Sequence, residues 1–307
     1  MKILVTGAKG FIGQHLMKAL QRMGHQVTGW DITYGSDVPN HRCIDLRIPW
    51  DEVLISGVDQ IYHLAADMGG IGYITKVQAD VMIHNMRMTS YLLDVVRSQA
   101  SPPRVLFTSS ACVYPAISDG TEASAYPANP DSAYGWEKLF AERMLLACRD
   151  DHIMEVRIAR LHNIYGPGGT FDGGREKSIA ALCRKVVQNV PGVVDTLTVW
   201  GTGAQTRTYC YIDDCVRLLI ALMNSDYSEP LNIGSDRHYT LQHVAELIVD
   251  ISGKKMSIEY DPTKPVGVEH RTSENTLIRA ILNDEPCTPL RDGLVLTYAW
   301  IKEQMNV

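Results

Sequence analysis

Short apolar runs rich in β-branched residues alternate with longer stretches of helical period through the first half of the chain. Lys2–Thr6, Gln26–Trp30, Gln60–Leu64, Arg104–Thr108 and Met154–Arg160 read as strands. Phe11–Met23, Val77–Arg97 and Ser132–Arg149, lying between them, read as helices. Strand, helix, strand at this spacing builds a parallel sheet wound on both faces, the α/β class. Past Tyr165 the pattern loosens into a glycine-rich run over 166–174, and a helix is expected at Ser178–Gln188. Tyr209–Met223 reads as a return to the first unit. The expected organisation is therefore a larger domain from residues 1–165 plus about 209–235, and a smaller C-terminal lobe from 166–208 and 236–307.

Composition narrows the class of partner. At 307 residues, with 45% hydrophobic and 21% charged positions, the chain can bury a substantial core. Its net charge of −6 and the lack of any Lys/Arg run argue against nucleic acid or an anionic membrane as partner. The cysteines (Cys43, Cys112, Cys148, Cys183, Cys210, Cys215 and Cys287) are scattered, odd in number and without a C-x-x-C pair. That pattern favours a reducing compartment over a disulfide framework and offers no zinc site. The chain opens directly in a strand-like run, with no signal peptide and no apolar stretch of spanning length, so a cytoplasmic location is expected.

Chemistry enters at Gly7-Ala8-Lys9-Gly10-Phe11-Ile12-Gly13, between the first strand and the first helix. Gly7 permits the tight turn, Gly10 lets backbone approach a pyrophosphate, and Gly13 lets helix pack on strand. The helix N-terminus then offers N–H groups to the phosphates. A lone glycine triplet is weak evidence, but here strand and helix flank it and Asp31 ends the next strand, the context of a Rossmann-type dinucleotide site. A carboxylate at Asp31 accepts from both ribose hydroxyls and repels a 2′-phosphate, which favours NAD over NADP. Asp45 and Leu46 are weaker candidates for the adenine edge.

Tyr134-Gly135-Trp136-Glu137-Lys138 is the second signal. Tyr134 and Lys138 lie one helical turn apart on a shared face. A phenol of pKa about 10 acts as a base near neutrality only if its anion is stabilised. A neighbouring lysine and an oxidised nicotinamide are able to stabilise it. The spacing alone is a common accident; following the glycine turn and Thr108-Ser109-Ser110, it is not. Ser110 is placed to hydrogen-bond the same hydroxyl.

With these motifs, and with His63-Leu64-Ala65-Ala66, His162-Asn163-Ile164-Tyr165-Gly166-Pro167 and Asn232-Ile233-Gly234, the whole chain resembles the extended short-chain dehydrogenase/reductase family acting on sugar nucleotides. The resemblance implies NAD as cofactor, with Phe11, Ile12, Leu64, Ala65 and Ala66 joining its contacts. It also implies a transient 4-keto sugar: the tyrosine takes the O4 proton while NAD takes hydride from C4, and hydride return completes the reaction.

A 4-keto group acidifies the hydrogens on C3 and C5, so an enzyme exploiting it needs an acid and a base flanking the ring. Cys112 lies two residues after Ser110, and a thiol of pKa about 8.5 is within tuning range of a base at neutral pH. Its competing role is that of a small buried hydrophobe. Lys177, at the start of the helix expected over 178–188, is the candidate opposite partner. The helix dipole there would lower its pKa; an ordinary solvent-facing lysine is the competing reading.

The segments Ala66-Asp67-Met68-Gly69-Gly70-Ile71-Gly72, Ser109–Pro115, Gly173–Lys177, Cys183-Arg184-Lys185 and Gln205-Thr206-Arg207 narrow the resemblance to the GDP-mannose 3,5-epimerase family. It implies Cys112 and Lys177 as the acid/base pair. It further implies Gly70, Ser110, Asn163, Glu176, Lys177, Lys185, Gln205, Arg207 and Arg271 as substrate contacts, the cations gripping a diphosphate. A GDP-hexose is the favoured substrate.

Three other readings stand beside it. A UDP-sugar 4-epimerase needs Tyr134 but no Cys112/Lys177 pair. A GDP-4-keto-6-deoxymannose epimerase/reductase uses NADPH, against which Asp31 argues. A non-catalytic dinucleotide sensor has no need of the Tyr–Lys pair that is kept here. A homodimer is expected, because Met82, Met86, Leu92, Leu139, Met144 and Leu145 put apolar residues on more than one face of two long helices, and the resemblance implies a four-helix bundle between subunits.

Overall fold

Seven strands form one sheet in the computed structural model, which describes residues 1–33, 40–190 and 195–306. Across the sheet they run Pro230–Ile233, Val156–Leu161, Arg104–Ser110, Gln60–His63, Lys2–Thr6, Gln26–Asp31 and His41–Cys43. Every neighbouring pair is parallel. The α/β class is as expected, and the five strands foreseen in the first half are present with ends shifted by at most two residues. A parallel sheet covered on both faces needs apolar residues on both. The first strand shows this directly: Ile3 and Val5 enter one core cluster and Leu4 the opposite one.

The first three strands step in one direction; the fourth crosses back to the other side of the first. That reversal opens a crevice at the carboxyl ends of Lys2–Thr6 and Gln60–His63, where ligands of such sheets bind. Thr6 and His63 are paired in register there, and the Thr6 hydroxyl lies 2.8 Å from His63 Nδ1.

Helices Phe11–Arg22, Gln78–Arg97, Ala133–Asp150 and Ser178–Gln188 form where the pattern places them. The return near residue 209 is also present: Cys210–Tyr211 pairs with Ile164–Tyr165, helix Ile212–Asn224 follows, and Pro230–Ile233 joins the edge of the main sheet. The smaller part adds two sheets the pattern did not reveal, because their strands are only two to five residues long. Thr196–Trp200 pairs with Ser257–Asp261, and Thr206–Thr208 lies between His238–Thr240 and His270–Arg271. Leu241–Ser252, Thr276–Leu282 and Leu290–Gln304 complete it. One apolar cluster runs from Ile3 and Leu16 to Ile179, Leu182, Leu294 and Ile301, so the two parts share a core.

The residues expected to mark a dimer face divide. Leu92, Leu139 and Leu145 are buried within the chain itself, and Met86 and Met144 are half-buried. Helical period registers a second apolar face without saying what covers it. The exposed apolar side chains on these two helices are Met82, Ile83, Trp136 and Phe140, the last 55% exposed. No described helix is long and apolar enough to cross a membrane.

Candidate functional site

A cavity of about 740 Å³ occupies the crevice. Its lining includes every expected cofactor contact: Gly7, Gly10, Phe11, Ile12, Gly13, Asp31, Asp45, Leu46, Leu64, Ala65, Ala66, Tyr134 and Lys138. Gly7 has φ +70°, and a Cβ on Gly13 would lie 2.1 Å from the Gly7 carbonyl oxygen, so the turn and the helix start interlock only as glycines. Gly10 caps the helix without a side chain. One Asp31 oxygen accepts from the Lys9 N–H at 3.0 Å; the other accepts from the Thr33 N–H and hydroxyl. Asp45 is tied to Arg47 at 2.8 Å, whose hydrogen bonds hold its carboxyl below the usual range. Arg47 itself lines the cavity, a cation the sequence reading did not single out.

Ser132 starts the next site helix by accepting from the Gly135 N–H at 3.1 Å, a cap worth about 1 kcal/mol. A Cβ at Gly135 would lie 2.1 Å from the Cys112 carbonyl oxygen. The glycine after Tyr134 therefore lets that helix press backbone to backbone against the turn carrying the cysteine. Tyr134 is buried, and burial, then the Cys112 thiol and Glu137, push its pKa up, with only a hydrogen bond from Ser110 opposing. Lys138 Nζ sits 4.5 Å over the Phe107 ring and 5.8 Å from the Tyr134 ring centroid. Its own pKa is lowered by burial, against Glu137 and Glu142. The expected stabilisation of the phenolate is thus outweighed in the chain by itself. His63, behind them, is brought down to about 3 by burial and by Lys138, and stays neutral.

Cys112 lies in a single 3₁₀ turn, Ala111–Val113, whose start is capped by Ser110 Oγ accepting from the Cys112 N–H at 3.2 Å. It packs, half-buried, against Ile74, Val81 and Tyr134. Ser110 and Lys177 line the main cavity; Cys112 does not. Lys177 precedes helix Ser178–Gln188 as expected, and its pKa is lowered as expected. The cause is different: loss of hydration among surrounding protein dominates, and the Cys112 and Cys215 thiols oppose it. The side chain has accessible surface because it faces the cavity, yet it is walled by protein.

The remaining expected substrate contacts lie outside the lining of the main cavity. A Cβ on Gly70 would lie 2.3 Å from the Glu176 carbonyl oxygen. Asn163 holds φ +43° and donates to Thr208 O at 2.9 Å. Glu176 accepts from Arg184 at 3.0 Å. Lys185 donates to Thr198 O. Gln205 donates to Trp200 O and borders a second, smaller cavity. Arg207 donates to the carbonyls of Thr206, Val266, Val268 and Glu269. Arg271 donates to those of Tyr114 and Pro115 and reaches Asp131 at 3.5 Å. Arg207 and Arg271 are register partners on adjacent strands, within electrostatic reach of each other, and the Arg207 guanidinium also feels Cys112 and Asp131. Among the described residues no His/Cys/Asp/Glu group is arranged to hold a metal ion.

The profile of the NAD dependent epimerase/dehydratase family matches residues 3–234. The chain belongs to that family. GDP-mannose 3,5-epimerase 1 of Oryza sativa subsp. japonica is 39% identical over 100% of this chain and 83% of its own length. UDP-glucuronic acid decarboxylase 6 of Arabidopsis thaliana is 32% identical over 96% of this chain and 87% of its own. Among solved structures, UDP-glucuronic acid 4-epimerase from Bacillus cereus in complex with UDP-glucuronic acid and NAD matches with TM-score 0.87 at 26% identity, covering 99% of this chain and 100% of that one.

The family's cofactor, NAD, fits the observed cradle. The glycine turn and the helix start that only glycine allows suit the pyrophosphate, and Asp31 suits the ribose hydroxyls. Two networks behind the site went unforeseen. Glu142 accepts from Ser109 Oγ at 2.5 Å and from Arg160 at 2.7 Å, joining the strand end to the Tyr134 helix. Asp67 and Arg175 meet at 3.0 Å at the cavity wall. Both residues stand inside motifs quoted above, which was the available signal; nothing local says that they touch.

Proposed function

We propose that this protein is a GDP-mannose 3,5-epimerase-type enzyme. The observation that carries the reading is the position of Cys112, which packs against Tyr134 in the turn that the Tyr134 helix meets, with its thiol within electrostatic reach of Lys177. A 4-epimerase has no use for a thiol and an amine beside the tyrosine. NAD, held by the Gly7–Gly13 turn and Asp31, would supply reversible hydride transfer at the sugar C4. Tyr134, held by Ser110 and with Lys138 one turn along, takes the O4 proton and gives it back. Cys112 and Lys177 exchange the protons on C5 and C3, the carbons beside the transient carbonyl. A lowered amine pKa suits Lys177 to donate and accept within the working range. Residues 1–165 with about 209–235 would hold NAD, and 166–208 with 236–307 the sugar nucleotide. Gly70, Asn163, Glu176, Lys185, Gln205, Arg207 and Arg271 would border it, directly or by shaping the segments around it. The favoured substrate is a GDP-hexose.

The exposed group Met82, Ile83, Trp136 and Phe140 supports a homodimer through the helices Gln78–Arg97 and Ala133–Asp150. The seven free thiols support a reducing compartment such as the cytoplasm. The deciding experiment is turnover of GDP- and UDP-sugars in deuterated water, read by mass spectrometry and NMR. Deuterium at C3 and C5 of a GDP-hexose, with C4 keeping its own hydrogen, is the expected result. A product inverted only at C4, with no deuterium at C3 or C5, would overturn the reading.

A further inference from the structure

The short segment that carries Lys177 is held by contacts that no step above uses. It leaves the glycine-rich run through Gly173 and Gly174, both at positive φ with open space around them. Their backbone is therefore free to take several paths, and the next residues must be held from outside. Arg175 supplies the hold. Its guanidinium donates to Asp67 at 3.0 Å and to Met68 O at 3.3 Å, also bonds the Tyr73 hydroxyl, and lies 3.9 Å over the Tyr73 ring. The Gly70 N–H donates to Arg175 O at 3.0 Å, and the close approach of Gly70 to Glu176 locks the same backbone.

Asp67 is itself fixed from the other side. Its carboxylate accepts from Tyr73 at 2.8 Å and pairs with His84 at 2.9 Å. Its N–H donates to Asn85 Oδ1 at 2.6 Å, and Asn85 Nδ2 bridges to Asp67 O and to Glu137. Glu137 is buried on the helix between Tyr134 and Lys138. A continuous polar chain thus runs from that helix through Asn85 and Asp67 to Arg175, two residues before Lys177.

We propose that Asp67 and Arg175 are positioning residues that hold the Lys177 amine against the site, in register with the Tyr134 helix. The proposal rests on the reading of Lys177 as a proton-transfer group. It separates the half-reactions: the clasp governs the inversion that needs Lys177 and not the oxidation at C4, which needs Tyr134 and Lys138. Opening the clasp also frees the Lys177 amine from the protein that walls it, so its hydration increases. The charged and titratable groups around that amine are Cys112 and Cys215 from facing elements and Glu176 and Arg175 on its own segment, with His84 behind Asp67. Hydration raises an amine's pKa toward the ordinary value of about 10.4.

The test uses NAD-loaded enzyme with GDP-mannose in deuterated water, comparing wild type, Arg175→Met, Asp67→Asn and Lys177→Ala. Arg175→Met cuts the clasp while leaving Asp67 its bonds to Tyr73, His84 and Asn85, so it covers the case in which Asp67→Asn folds poorly. Expected in both clasp variants is a loss of inverted product of about a hundredfold, the cost of a ~1 Å misplacement. Reduced-nicotinamide absorbance on mixing should persist, and the ionisation of Lys177 in the pH–rate profile should move to higher pH. Inverted product near the wild-type rate in Arg175→Met would overturn the proposal. So would NADH formation falling in step with product, or an unmoved ionisation. If Lys177→Ala inverts its substrate normally, the underlying role of Lys177 fails instead, whatever the clasp variants do.

Discussion

Gly135→Ala tests how closely the Tyr134 helix must sit against the cysteine turn. The added Cβ would lie 2.1 Å from the Cys112 carbonyl oxygen and 2.9 Å from Pro130 Cβ. A relaxed carbon–oxygen contact is about 3.3 Å, so helix and turn must part by roughly 1 Å. No flexible side-chain end is available to yield, since the nearer obstacle is backbone. Overpacking of this kind costs about 1–3 kcal/mol, and alanine's better helix propensity regains at most about 1 kcal/mol. A melting temperature a few degrees lower follows, at roughly 2–4 °C per kcal/mol. The catalytic loss should be disproportionate. The same displacement draws Tyr134 away from Cys112, and a ~1 Å error in a site costs about a hundredfold in rate. The assay is product formation from GDP-mannose beside a thermal melt and NAD calorimetry, with NAD affinity expected to hold because the glycine turn is untouched. Turnover within about threefold of wild type, far short of that hundredfold, would show that the close approach is incidental.

Tyr134→Phe should lower kcat by about a hundred- to ten-thousand-fold with sugar-nucleotide affinity nearly intact, and retention of more than roughly a tenth of wild-type kcat would assign the O4 proton to another group. NAD should bind more tightly than NADP because a 2′-phosphate would meet Asp31; equal or tighter NADP binding by calorimetry refutes this. Stability should fall on acidification from pH 7 to pH 5. His63 and His162 are buried with pKa values brought down to about 3 and about 4, so below about 6.5 the unfolded chain binds protons that the folded one does not. The loss is on the order of 2 kcal/mol for each histidine by pH 5, and urea midpoints that stay flat over this range would contradict it. Trp136→Glu should convert a dimer to a monomer in light scattering at micromolar concentration, and a monomer's mass for the unmodified protein removes the dimer altogether.

The part of the fold that was legible shares one property: its signal is local. A parallel strand buried on both faces carries consecutive apolar residues, Ile3, Leu4 and Val5 in Lys2–Thr6 and Ile61 and Tyr62 in Gln60–His63, while the short, mostly exposed edge strand His41–Cys43 does not. The cofactor cradle is legible for the same reason, since Gly7, Gly10 and Gly13 meet within one turn. Tyr134 and Lys138 share a face because a helix puts them there. What stayed hidden is whatever depends on contact across the chain. Lys177 was given the right direction of shift from its place at a helix start, but the cause is burial by segments far away in sequence. Arg207 and Arg271 have the charge for a diphosphate, yet their guanidiniums meet carbonyls as far as 62 and 157 residues along the chain. Asp67 and Arg175, 108 residues apart, each stood in a motif noticed for its neighbours. Residue type thus announces which chemistry is available, and long-range packing decides which group carries it. The pairing of Lys177 with Cys112 is an idea of the first kind; the clasp proposed through Asp67 and Asn85, and the close approach at Gly135, are of the second.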